Sequence, residues 1–297
     1  MSDDGFWPIP PVIGIVGVGL MGGSLGLALR RLENPPQIVG IGRSVERLRV
    51  ALELGAIDTF VTDLGEGAAM CDAVVLCTTI DNILAILPEV LERAPATTTI
   101  TDIGSTKSAI VAAAGGDPRF AGGHPMAGSE KSGVEAAAPT LYQGATWAIT
   151  PSATTDEGSV RAVTRIARAA GARPLLFTPD AHDAMVAITS HVPHVLASAL
   201  IRTAAEARHE LPELYRMSAG SFADMTRVAA SPPEIWRDVC LTNREAVLLA
   251  LTRYRRQLDI LESAVADSDA EAIERFFGGG AEEKRTWQGE RFPKKAP

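Results

Sequence analysis

Through the first 178 residues short apolar runs alternate with amphipathic stretches, and beyond them the pattern reads as helix almost without interruption. Residues 12–16 (VIGIV) form a buried-strand signal, followed by glycine punctuation and a leucine-rich helix over Ser24–Leu32. Ile38–Ile41 predicts a second strand and Arg43–Leu54 a helix that Gly55 ends. Ala73–Cys77 is a third strand, Ile83–Leu91 a helix, and Thr98–Thr101 a further short strand. Strands near Ala145–Ile149 and Pro174–Phe177 flank a helix at Glu157–Ala170 and extend the same domain. Strands and helices alternating at this pace predict a parallel sheet with helical crossovers.

From Asp180 to about Val265 the pattern is helical, with Pro193 required to start or kink a helix because it lacks an N–H. Asn243–Val265 is the clearest helix, with Val247, Leu251, Tyr254, Leu258, Leu261 and Val265 spaced alternately by four and three. Such a seam suits either a helix buried within its own domain or one paired across a dimer interface. The organisation expected is a Rossmann-type α/β domain over 1–178, an all-helical domain over 179–276, and a polar, charged tail over 277–297 that is mobile or a short helix.

The net charge of −8 argues against a nucleic-acid binder, which needs a basic stripe to displace counterions. Three cysteines, Cys71, Cys77 and Cys240, form no CxxC pair and read as reduced thiols of a cytoplasmic protein. The acidic opening MSDDGFWPIPP does not resemble a signal peptide, and no unbroken run reaches the roughly 20 apolar residues that span a bilayer. No membrane association is expected.

Gly17-Val18-Gly19-Leu20-Met21-Gly22 matches GxGxxG between a strand and a helix, the context in which it signals dinucleotide binding. Gly17 permits the turn, Gly19 lets the backbone approach a pyrophosphate, and Gly22 lets helix and sheet pack closely. The loop has no P-loop lysine. After the second strand an NAD site usually carries Asp or Glu; here stand Arg43 and Ser44, which favour a 2′-phosphate and so NADP, with NAD possible as the second choice.

Thr101–Lys107 (TDIGSTK) follows a strand, so Ser105 lies where the nicotinamide end of a ligand would sit; Lys107 reads equally as a surface lysine. Gly122–Gly133 (GGHPMAGSEKSG) puts His124 in what reads as a glycine-lined loop, suited to taking a proton from a hydroxyl. Ser190-His191-Val192-Pro193-His194 places two histidines on one helical face. With His124 they could be imagined around zinc, but no acidic or thiol ligand has convincing spacing, and no metal is expected. Asp224-Met225-Thr226-Arg227 offers an arginine suited to a carboxylate or to a surface salt bridge.

Together GVGLMGGSLG at Gly17–Gly26, DIGSTK at Asp102–Lys107, GGHPMAGSEKSG at Gly122–Gly133, HDAMVAITSHVPH at His182–His194 and the DMTR and PPEIW segments within Ser221–Trp236 resemble the prephenate dehydrogenase (cyclohexadienyl dehydrogenase) family over about residues 12–265. The resemblance implies oxidative decarboxylation of prephenate to 4-hydroxyphenylpyruvate in tyrosine biosynthesis, or of arogenate to tyrosine, or of both. It implies that His124 accepts the ring hydroxyl proton and that Ser105 bridges histidine, substrate and nicotinamide, favouring with nearby backbone the neutral imidazole. It further implies that Arg227 anchors a substrate carboxylate, that Ser190, His191 and His194 line the cleft, that Asp224 helps close it, and that Thr78 contacts cofactor. A homodimer through the helical domain is implied as well. Thr78-Thr79-Ile80 departs from the proline-containing nicotinamide loop of many relatives, which puts that loop's shape in doubt. No chorismate mutase region or ACT domain is expected, so any feedback by tyrosine would act at the active site. A 3-hydroxyacid or 6-phosphogluconate-type dehydrogenase would use a helical-domain lysine, and none follows Thr178 before Lys284.

Overall fold

The computed structural model describes residues 8–129 and 131–291. The acidic N-terminal opening through Trp7, Glu130 of the GGHPMAGSEKSG segment and the last six residues of the tail lie outside the described residues.

The parallel sheet takes the order β3-β2-β1-β4-β5. Its strands are β1 (Val12–Val16), β2 (Gln37–Ile41), β3 (Thr59–Val61), β4 (Ala73–Leu76) and β5 (Thr99–Asp102). The crossovers are α1 (Leu20–Leu29), α2 (Val45–Glu53), α3 (Leu64–Ala69) and α4 (Ile80–Arg93). Successive residues of β1 face opposite layers: Ile13 and Ile15 pack with Leu25, Leu29 and Ile57, while Val16 packs with Val74, Leu76 and Ile83. Burial on both faces explains why these strands read as continuous apolar runs instead of alternating ones.

After α5 (Ser108–Ala113) come β6 (Ala121–Pro125), β7 (Thr146–Pro151), α6 (Glu157–Ala169) and β8 (Arg173–Leu176), forming a second sheet in the order β6-β7-β8. β6 and β7 are antiparallel and β7 and β8 parallel. A single parallel bridge, Ile100 to Phe120, connects the two sheets.

β6 corrects the reading of Gly122–Gly133 as a loop throughout. Its first residues are a buried strand in which His124 pairs with Ala148. The glycines serve close packing: a Cβ on Gly123 would lie 2.5 Å from the Asp102 carbonyl oxygen, and one on Gly122 2.4 Å from Thr150 Oγ1. β3, only three residues long, also escaped the sequence pattern.

The helical region begins with α7 (Pro179–Val186), capped by Thr178, whose side chain accepts from the Ala181 amide at 3.3 Å. A π-helical turn (Ala187–His191) leads directly into α8 (Val192–Ala207), with Pro193 in its first turn. The wider turn accommodates the missing proline donor within a continuous helical run. On length and mean hydropathy this run, Pro179–Ala207, is the one helix among the described residues that could cross a bilayer. An expectation based on unbroken apolar residues missed it because Asp180, His182, Asp183, His191 and His194 interrupt the run.

α9 (Gly220–Thr226), α10 (Pro233–Thr242) and α11 (Arg244–Ala266) follow. By compactness the chain forms two units that divide at Val247/Leu248. In the second unit α11 continues and α12 (Ala270–Arg291) runs straight through Gly278–Gly280. The expected tail from 277 is thus helical to Arg291. Three glycines cost about 3 kcal/mol of helix propensity, but the helix formers Ala281 to Arg285 follow them and Glu271 pairs with Arg275 one turn earlier.

Candidate active site

In the parallel sheet the strand order reverses at β1, whose two neighbours are β2 and β4, so a crevice opens beyond the carboxyl ends of β1 and β4. Gly17 makes the turn out of β1 with φ +91°, and a Cβ there would lie 2.6 Å from the Cys77 carbonyl oxygen. At Gly22 a Cβ would lie 2.3 Å from the Gly17 carbonyl oxygen, whereas at Gly19 it would meet nothing within 4 Å. Two glycines therefore serve packing, and the third leaves space for a ligand to approach the backbone. No side chain caps the N-terminus of α1 and its first turn carries no acid, so its positive end is available to a phosphate. Tyr142, fully buried, donates from its hydroxyl to the Met21 carbonyl at 2.7 Å and supports the loop from behind. Val18 points into the core.

A cavity of about 400 Å³ lies against this loop. Gly19, Leu20 and Met21 line it together with Thr78, Thr79, Gly104, Ser105, His124, Lys131 and Ser132; α10 contributes Ile235 and Asp238. Ser105 and His124, far apart in sequence, thus both belong to the cavity wall. Arg43 is exposed at the end of β2, and Ser44 Oγ accepts from the Arg47 amide at 3.3 Å as the cap of α2; neither lines the cavity.

Beneath that wall lies a buried polar network. Lys107, which the sequence left open as a surface residue, is fully buried and pairs with the equally buried Asp102. Its Nζ also donates to the Gly123 carbonyl at 2.8 Å. Asp102 accepts from the Gly104 amide at 2.7 Å and the Gly123 amide at 3.1 Å, so one ion pair fastens the Ser105 loop to the His124 strand. Burial pulls the Lys107 ammonium down while Asp102 holds it up, and burial prevails.

His124 Nδ1 lies 2.8 Å from His182 Nε2, and His182 Nδ1 lies 2.8 Å from Asp183 Oδ1. The Nδ1 partner of His124 is therefore His182 and not Ser105. Asp183 also accepts from the amides of Lys107 (2.8 Å) and Ser108 (2.9 Å) at the start of α5. Burial would raise the Asp183 carboxyl, but these hydrogen bonds outweigh it and hold the group below the usual carboxylate range. His124 is held well below the ordinary imidazole value, first by burial and then by the neighbouring His182, Lys107 and His191. It is neutral near pH 7, as a base must be.

His191 is buried, and burial pushes it down to about 4. Asn243 Nδ2 donates to its Nδ1 at 3.2 Å, which leaves its proton on Nε2, a buried atom without a partner. His194 donates from Nδ1 to the Ser190 carbonyl at 2.9 Å and stacks on Trp236 with ring centroids 3.7 Å apart. Ser190, His191 and His194 do not line this cavity, and of the three His191 acts electrostatically on His124. Asp224 and Arg227 are exposed at the end of α9, with Arg227 near enough to lower His194 electrostatically. Among the described residues no three His, Cys, Asp or Glu side chains are disposed to hold a metal. His182, Asp183 and Trp236 had no role assigned from sequence, although they stand inside the quoted HDAMVAITSHVPH and PPEIW segments.

A sheet that reverses at a glycine loop, with a serine and a neutral histidine facing the resulting cavity, defines a nicotinamide-nucleotide-dependent dehydrogenase. The family model for the prephenate dehydrogenase nucleotide-binding domain matches residues 25–176, and that for the prephenate dehydrogenase dimerization domain matches 178–279. A prephenate dehydrogenase of Bacillus subtilis is 34% identical over 89% of this chain and 72% of its own length. The structure of prephenate dehydrogenase from A. aeolicus with hydroxyphenyl propionate and NAD+ superposes with a TM-score of 0.88 at 30% identity, covering 95% of this chain and 99% of that one. Synechocystis arogenate dehydrogenase superposes with a TM-score of 0.81 at 29% identity, covering 93% and 99%. The chain belongs to the prephenate dehydrogenase family.

Proposed function

We propose that the protein catalyses oxidative decarboxylation of prephenate to 4-hydroxyphenylpyruvate, with arogenate as the alternative substrate of the same site. The observation that carries this reading is that Ser105 and His124 line one cavity beside the glycine loop, with His124 neutral and buried. A bound nicotinamide supplies the acceptor for hydride from the ring carbon bearing the hydroxyl. Gly17 to Gly22 and Thr78 would hold it, Gly19 giving the backbone clearance. His124 takes the hydroxyl proton as that carbon is oxidised, and Ser105 orients the hydroxyl toward the imidazole; the ring carboxylate leaves as carbon dioxide, its bonding pair makes the ring aromatic and passes to the oxygen, and the phenolate so formed regains the proton from His124. The buried Asp102–Lys107 pair keeps Ser105 and His124 in register.

Arg227, exposed at the end of α9, is the candidate carboxylate clamp, with Asp224, Ser190, His191 and His194 around the substrate. Arg43 has no acidic neighbour in the place that would hold a ribose 2′-hydroxyl, which favours NADP over NAD. The exposed apolar residues of α8 and α11, among them Leu200, Leu249, Leu258 and Val265, suit a homodimer through the helical region.

The test is turnover with prephenate and with arogenate, each with NAD and with NADP. Reduction of nicotinamide with prephenate is expected; none with any of the four pairs refutes the proposal.

A further inference from the structure

Two histidines and a carboxylate lie in series beneath the cavity wall: His124 Nδ1 to His182 Nε2 at 2.8 Å, and His182 Nδ1 to Asp183 Oδ1 at 2.8 Å. All three are buried, His124 at 9% exposure, His182 at 2% and Asp183 at 4%. Each imidazole nitrogen in such a chain either donates or accepts, and one end decides the rest. Asp183 is a carboxylate already accepting from the Lys107 and Ser108 amides, so it only accepts. The proton between it and His182 therefore sits on His182 Nδ1. With that proton on Nδ1, the neutral His182 imidazole carries its lone pair on Nε2, the atom that lies 2.8 Å from His124 Nδ1. The proton in the first link accordingly belongs to His124 Nδ1.

We infer that His182 and Asp183 are positioning residues that fix the tautomer of His124, placing its proton on Nδ1 and leaving Nε2 as the base that faces the cavity. The inference rests on His124 being the base of the proposed reaction. His182 is not a proton sink: the substrate proton goes no further than His124 Nε2 before it returns to the product oxygen, and the imidazolium formed meanwhile is stabilised by its Nδ1–H bond to His182 and by the Asp183 charge beyond. Asp183 also ties this axis to the start of α5, so the site and its orienting groups move together. The groups facing His124 are His182 from α7, Lys107 from the start of α5 and His191 from the π turn.

The direct test reads protons. In enzyme labelled with ¹⁵N-histidine, without ligand and near neutral pH, the two-bond ¹H–¹⁵N spectrum distinguishes the tautomers of all five histidines, and the resonance lost in His124→Asn is that of His124. Protonated Nδ1 and bare Nε2 at His124 are expected; a proton on Nε2 overturns the inference. The kinetic test uses His182→Leu and Asp183→Asn. Each should lower kcat by about 100-fold or more while cofactor Kd stays within about threefold, because the base presents the wrong nitrogen. In Asp183→Asn the new amide can donate toward His182 Nδ1, and the spectrum should move toward protonated Nε2 at His124. Undiminished kcat in His182→Leu overturns the inference. If a variant does not fold, the wild-type spectrum decides alone. A wild type that turns over none of the four substrate and cofactor pairs defeats the proposed function, and the spectrum still reads the tautomer.

Discussion

Lys107→Met removes the cation from the ion pair beneath the active-site wall while nearly preserving length and bulk. No large cavity is created, so the cost is almost wholly electrostatic. Asp102 is left fully buried with the amides of Gly104 and Gly123 as its remaining donors, at 2.7 Å and 3.1 Å, and the Gly123 carbonyl loses its Nζ partner. Removing one member of a buried pair costs about 3–5 kcal/mol, because the other charge remains uncompensated. For a protein of this size that lowers Tm by roughly 6–20 °C. Asp102→Asn should cost a similar amount, leaving a buried ammonium and an amide that cannot accept from both glycine amides. The double variant carries neither charge and should cost less than the sum of the two by at least about 1 kcal/mol. Urea unfolding of the four proteins, followed by tryptophan fluorescence, measures the cycle. A Lys107→Met loss below about 1 kcal/mol, or single losses that simply add, would refute the claim that this pair clamps β5 to β6. Activity of Lys107→Met should fall more steeply than its folded fraction, because the clamp sets the spacing of Ser105 and His124.

His124→Asn should bind cofactor as the wild type does and lose roughly 100-fold or more in kcat; an unchanged kcat removes His124 from its role. Arg43→Ala should raise KM for NADP about tenfold and leave KM for NAD nearly unchanged if the guanidinium holds a 2′-phosphate, an effect of about 1.4 kcal/mol; equal changes for the two cofactors argue against that contact. His191, near 4 when folded and 6.5 when unfolded, binds fewer protons in the native state between those values, so its contribution is full above pH 6.5 and is lost as pH falls toward about 4. It amounts to about 3 kcal/mol at most, and His191→Gln should flatten the decline of unfolding free energy over that window; an unaltered slope would show that His191 is not held neutral.

The amino-acid sequence by itself determined the parallel α/β architecture, because strands buried on both faces must be continuously apolar and crossovers must be amphipathic. It also located the glycine loop, Ser105 and His124, because each of these belongs to a short local motif. The strand character of β6 was hidden: glycines that signal a loop locally are here the only residues thin enough to lie against Asp102 and Thr150. The burial of Lys107 was equally hidden, since a lysine reads as surface until its carboxylate partner five residues earlier is seen to be buried with it. The tautomer of His124 depends on His182, 58 residues away, and on Asp183 beyond it. Local patterning can announce which residues are suited to chemistry. Only the tertiary structure decides which of their atoms meet, because hydrogen-bond direction and desolvation depend on neighbours that the chain brings together from distant segments.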